Sequence, residues 1–183
     1  MVPASRLAEA LSPGSIALDV RPVRQSGESD CGLACLEALL AYWGRDMDDA
    51  GRERFSEERL EKEGIAALDV RDYLISRDFR AAVVPGALDS SRPAGLLHVL
   101  ARGWPVIVQR ARSADEPTRL HYAIVTGHEP GRRWVLLMDP ARGIGAMDCD
   151  EFDALWAAAG RLMIVAAPRA GSDGISPSTP GGS

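Results

Sequence analysis

Hydrophobic positions change their period part-way along this chain, from helical spacing in its first half to alternating or continuous apolar runs in its second. Leu33, Leu36, Leu39, Leu40 and Trp43 recur at helical spacing and predict an amphipathic helix that opens at Cys31, with Asp30 as its N-cap and Gly44 as its stop. The following GRDMDDAGRERFSEERLEKEG carries charge on nearly every face and predicts a solvated helix around Glu53 to Glu63. Another helix is expected from Leu68 to Arg77, with Leu68, Val70, Tyr73 and Leu74 facing inward. Ahead of all these, a short helix around Ser5 to Leu11 and an extended IALDV lead into the Arg24–Asp30 loop.

Beyond that point strand patterns take over. FRAAVV, Phe79 to Val84, reads as a strand, PGALDSSRP as a loop, and AGLLHVLARG as a helix stopped by Gly103. Trp104 to Arg110 is a buried strand with Pro105 at its start, where a missing N–H is tolerated. HYAIVTG pairs through the turn HEPGR with RWVLLMD, and a helix from Glu151 to Ala159 precedes a last strand, RLMIVAA. Helices early and an antiparallel meander late define an α+β fold with segregated layers. Residues 1–20 read as an N-terminal extension, 21–167 as the folded domain, and 168–183, rich in Gly, Ser and Pro, as a disordered tail.

Composition narrows the partners. A chain of 183 residues that is 46% hydrophobic has ample core for one domain. Its net charge of −5, without a Lys/Arg run, argues against nucleic acid and against an anionic membrane surface. The longest apolar runs, LMIVAA and WVLLM, are strand-length, and Arg6 and Glu9 interrupt the N-terminal segment, so neither a membrane span nor a signal peptide is read and a cytoplasmic location is expected. The three cysteines lack the spacing of a disulfide framework or a zinc site, which points to a reducing compartment and to no metal or cofactor.

Candidate chemistry begins at the first helix. Unpaired N–H groups and partial positive charge at a helix N-terminus hold a cysteine there partly as thiolate, so Cys31 is a candidate nucleophile. Cys35, inside the helix, and Cys149, in an acidic stretch, are read as ordinary buried thiols. A thiol nucleophile needs a base and a group that orients it. His98 falls mid-helix and His128 in the HEPGR turn, where exposure is expected. His121 begins a strand, and a turn centred on Pro130 sets it opposite Asp139, with Ala123 opposite Leu137 and Val125 opposite Val135 on the same face. Gln25 can donate to an oxyanion if its loop curls over Cys31, whose own N–H would be the second donor. The rival glutamine, Gln109, has no comparable placement.

The segments RQSGESDCGLACLEALLAYWG, HYAIVTG and VLLMDPARG, taken together, resemble the motifs of the bacterial C39 cysteine peptidases from about Val23 to Val165. That resemblance implies a papain-like fold, with Gln25 at the oxyanion, Cys31 as nucleophile, His121 as general base and Asp139 as its orienter. It also implies a peptide or precursor-protein substrate with a double-glycine leader and, in the absence of membrane segments and a P-loop here, a separate ABC-type exporter as partner. Two other readings stay open. One is a papain-like acyltransferase that passes the acyl group to an amine or thiol, and the other is a non-catalytic module that docks leader peptides.

Overall fold

The computed structural model describes residues 1–3, 7 and 11–169, the side chain of Glu63 excepted. In chain order its elements are β1 (Val2–Pro3), β2 (Ile16–Ala17), α1 (Cys31–Tyr42), α2 (Asp49–Arg54), α3 (Glu57–Glu63), α4 (Ala67–Ser76) and β3 (Phe79–Pro85). Then follow α5 (Leu96–Ala101), β4 (Val106–Ala111), β5 (Leu120–Glu129), β6 (Trp134–Asp139), β7 (Gly143–Asp148), α6 (Cys149–Ala158) and β8 (Leu162–Pro168). The helix expected around Ser5 to Leu11 lies largely outside the described residues, as does the tail beyond Arg169.

Among the described residues the strands form one antiparallel sheet in the order β1-β7-β6-β5-β4-β8-β3, with β2 pairing on β5. Strand alternation sends neighbouring residues to opposite faces. Ile107, Tyr122, Ile124, Met138 and Ile164 therefore join α1 and α4 in one core. Val106, Val108, Ala123, Val125, Val135, Leu137 and Met163 join α5 and α6 in a second core on the other face. The N-terminal helices thus pack on the sheet as expected, and the two later helices cover its reverse.

Several local expectations are corrected. Asp30 stands at the N-cap of α1, but its carboxylate accepts from the N–H groups of Ser26 (2.7 Å) and Gly27 (3.1 Å), so it fastens the preceding loop instead of capping the helix. The charged segment is two helices, because Asp48 caps α2 by accepting from Gly51 N–H and Ser56 restarts the chain as α3. Between them Phe55 is buried edge-on against Tyr73, with ring centroids 5.5 Å apart. On α4, Val70, Tyr73 and Leu74 face inward as expected, but the fourth inward residue is Ala67, and Leu68 is 53% exposed. The strand β7 was not foreseen; its GIGAMD is glycine-rich because β1 runs close beside it, where a Cβ on Gly145 would meet the Val2 carbonyl at 2.7 Å. The last strand extends through Pro168, which pairs with Phe79.

The hairpin register also differs. Its turn spans residues 130–133, with Arg133 at φ +55°, and is fastened by the buried carboxylate of Glu129, which accepts from the N–H groups of Gly131 and Arg132. Val125 therefore pairs with Leu137 and Ile124 with Met138, and a bulge at Thr126 absorbs one further residue before His128 meets Val135. A displacement of two residues preserves the face that each side chain occupies. Asp139 consequently stays on the face of His121, one diagonal step from the position directly opposite it.

Candidate active site

The ends of β4, β5 and β6 meet at one end of the sheet, and α1 begins above them. Helix α1 is buried on nearly every side, which fixes the position of its first residue, Cys31. Burial pushes the Cys31 thiol up, but a hydrogen bond with His121, the N–H of Tyr122, the charge of His121 and the N–H of Gly32 together outweigh it and leave the pKa below the ordinary value of 9.0.

At the start of β5, His121 is buried and pairs with Arg110 across the sheet. Its Nε2 lies 3.0 Å from Asp139 Oδ1, which leaves Nδ1 for the thiol. Burial disfavours the imidazolium, yet the hydrogen bonds to Asp139 and Cys31 and the charges of both raise the pKa above 6.5. Cys31 and His121 are thus biased toward thiolate and imidazolium. Asp139, 1% exposed, accepts from His121, from the N–H groups of Ala141 (2.9 Å) and Arg142 (3.2 Å), and from Arg110 Nη2 (2.8 Å). Burial alone would favour its neutral form; the His121 hydrogen bond and charge, the Arg110 charge and the Ala141 N–H instead hold it well below the usual carboxylate range.

Gln25 reaches the same corner through its main chain, its N–H donating to the Pro140 carbonyl at 3.2 Å, while Arg24 Nη1 donates to Ala141 at 2.7 Å. The Gln25 side-chain amide donates to Gly27 at 2.5 Å, and its buried Oε1 has no partner among the described residues. Beside Cys31 a groove of about 360 Å³ runs between Gly64 and Ile65 on one wall and Gln109, Leu120 and Tyr122 on the other. Its mouth is spanned by Glu28 and Arg119, paired at 2.7 Å.

Gln109 is therefore better placed than the sequence suggested. It shares the face of its partner Tyr122, lines the groove with Cys31, and has no hydrogen bond from its amide among the described residues. His128 is likewise not a turn residue, since it lies within β5 between Ile16 and Val135, half-buried, and burial lowers its pKa. His98 sits in α5, away from the groove lining. Cys35 and Cys149 are buried and, through burial first, their thiols are pushed up. The sequence reading missed Arg110, although its signal was present: alternation places it in phase with Val106 and Val108, a charge at a core position. Among the described residues, no group of three or more His, Cys, Asp and Glu is placed to hold a metal ion, and no helix is long and apolar enough to cross a membrane.

Residues 19–170 match the model of the Peptidase C39 family. The chain belongs to that family. No curated protein sequence matches it. Among solved structures, it is similar to the peptidase domain of Streptococcus ComA, a bi-functional ABC transporter involved in a quorum-sensing pathway, at 21% identity over 82% of this chain and 99% of that one, with a TM-score of 0.64. A double-glycine-motif protease from an AMS/PCAT transporter, solved in complex with its leader peptide, is 18% identical over 87% of this chain and 97% of that one, with a TM-score of 0.63. The peptidase domain of Streptococcus mutans ComA is 20% identical over 81% of this chain and 99% of that one, at a TM-score of 0.53. These likenesses establish the C39 peptidase fold of helices packed on a large antiparallel sheet.

Proposed function

We propose that this C39 domain is a cysteine endopeptidase that cuts peptide precursors at the end of a double-glycine leader. The observation that carries the reading is the continuous line of contacts from the Cys31 thiol through His121 to Asp139, alongside an open groove. The Cys31 thiolate attacks the carbonyl carbon of the scissile peptide, and the electron pair moves to the carbonyl oxygen. The N–H of Cys31 and the Gln25 amide stabilise that oxyanion; Gln25 Nε2 carries two hydrogens, of which Gly27 takes one. The His121 imidazolium gives its proton to the leaving amine as the C–N bond breaks, leaving a thioester on Cys31. His121, now neutral, takes a proton from water as the water oxygen adds to the thioester carbon; the C–S bond breaks to return the thiolate, and the leader leaves as a carboxylic acid that gives its proton to solvent.

Support for the substrate class comes from the relatives, which are peptidase domains of ABC transporters, one of them holding a leader peptide. In the groove, Gln109 offers a free amide to a substrate main chain, and Gly64 leaves the wall without a side chain. An exporter would receive the processed peptide. The test is mass spectrometry of double-glycine leader peptides incubated, under reducing conditions, with the wild type and with Cys31→Ala. Cleavage after the glycine pair that disappears in Cys31→Ala is expected. Uncut peptide that still binds both proteins would replace the peptidase with a docking module.

A further inference from the structure

On β4 the residues in phase with the second core are Val106, Val108 and Arg110, and Arg110 is as deeply buried as the valines, at 1% exposure. A guanidinium in such a place is costly unless it is paired and hydrogen-bonded. Its Nη1 donates to the carbonyls of Ala111 (3.0 Å) and Arg112 (3.3 Å), its Nη2 donates to Asp139 Oδ2 (2.8 Å), and its Nε has no partner among the described residues. The two oxygens of Asp139 are used differently. Oδ1 is shared by His121 and the N–H groups of Ala141 and Arg142, whereas Arg110 is the sole partner of Oδ2 among the described residues.

During catalysis the charge of His121 comes and goes. When the imidazole has given up its proton, a carboxylate 1% exposed would lose its cationic neighbour and be drawn toward the neutral acid. Arg110 does not titrate in the working range and supplies a constant positive charge. Building on the peptidase reading, we propose that Arg110 is a positioning residue: the permanent counter-ion of Asp139, keeping that carboxylate ionised and directed at His121 while the imidazole is neutral. The other ionisable groups that bear on the pair are Cys31 and Cys35 from α1, His121 from β5, Arg142 beyond β6 and Glu151 from α6.

The experiment measures the rate of Cys31 alkylation by iodoacetamide against pH, together with kcat/KM on a leader peptide, in the wild type, Arg110→Met, Arg110→Gln and Arg110→Lys. Loss of a charged hydrogen bond is expected to lower kcat/KM by about 10- to 100-fold in the Met and Gln variants. In both, the acid limb of the alkylation profile moves toward neutral pH, and Arg110→Lys returns it toward the wild-type position. In an Asp139→Asn background, the same Arg110 changes have little further effect. Should Arg110→Met fail to fold, the Gln and Lys variants carry the comparison. An unmoved acid limb, or an equal loss in the Asp139→Asn background, overturns the proposal. Because alkylation needs no substrate, a wild type that cuts no peptide sinks the peptidase reading and leaves the Arg110 comparison intact.

Discussion

Two cysteines one helical turn apart receive opposite treatment from the same helix. Cys31 stands at the N-terminus of α1 against His121 and two main-chain N–H groups, and its pKa falls. Cys35 is wholly enclosed, and burial followed by the charges of Cys31 and Asp139 sends its pKa well up. At pH 7 iodoacetamide should therefore label Cys31 first, with Cys35 reacting only on unfolding; peptide mapping that finds Cys35 or Cys149 modified at a comparable rate would contradict this assignment. The pH profile follows with the same signs. Activity should rise as pH passes the Cys31 value, below 9.0, and fall as pH passes the His121 value, above 6.5. Sequence made Cys31, His121 and Asp139 legible because each lies in a motif at the end of a patterned element. The alternation that sets Arg110 in phase with Val106 and Val108 is visible in the sequence, but which face of β4 meets which layer is not, and the placement of Gln109 depends on that.

At the scale of elements, α1 fits closely against the wall of the groove. A Cβ on Gly32 would lie 2.0 Å from Ile65 Cγ2 and 3.1 Å from the Tyr122 ring, and Tyr122 is itself tied through its hydroxyl to the Ile65 carbonyl at 3.2 Å. Alanine gains about 1 kcal/mol over glycine within a helix. Overpacking costs about 1–3 kcal/mol, and a β-branched neighbour at this distance belongs at the upper end. Gly32→Ala should therefore be destabilised by about 1–2 kcal/mol in urea unfolding and lose activity through the displaced Cys31; a midpoint at or above that of the wild type would show that α1 has slack. The hairpin teaches a related lesson. Its strands were readable from alternation, but its register was not, since Glu129 stabilises a longer turn and Thr126 bulges. The His121–Asp139 pairing survived because the displacement near the site was even.

For the whole molecule, one sheet carries a core on each face, and the candidate site lies where strand ends from the second-core phase approach a helix resting on the first. The α+β layering was legible from the change of period, whereas β1 and β7 were not, β1 being two residues long and β7 glycine-rich. Asp139 couples this architecture to pH. Its pKa is depressed on folding, so its contribution to stability is present above the ordinary value of 3.8 and is lost as pH falls through the lower folded value. Asp139→Asn, which leaves Arg110 unpaired, should be less stable than the wild type by roughly 3–5 kcal/mol at neutral pH. That gap should narrow below pH 3.8; urea midpoints at pH 7 and pH 3 that keep the same separation would refute the linkage. The order of the parts along the chain has one more consequence. His121 follows Cys31 by 90 residues and Asp139 follows it by 108. At about 5–20 residues per second, the thiol leaves the ribosome on the order of ten seconds before the carboxylate at the far end of that line of contacts. Throughout that interval the thiol lacks the His121 contact that lowers its pKa in the folded domain.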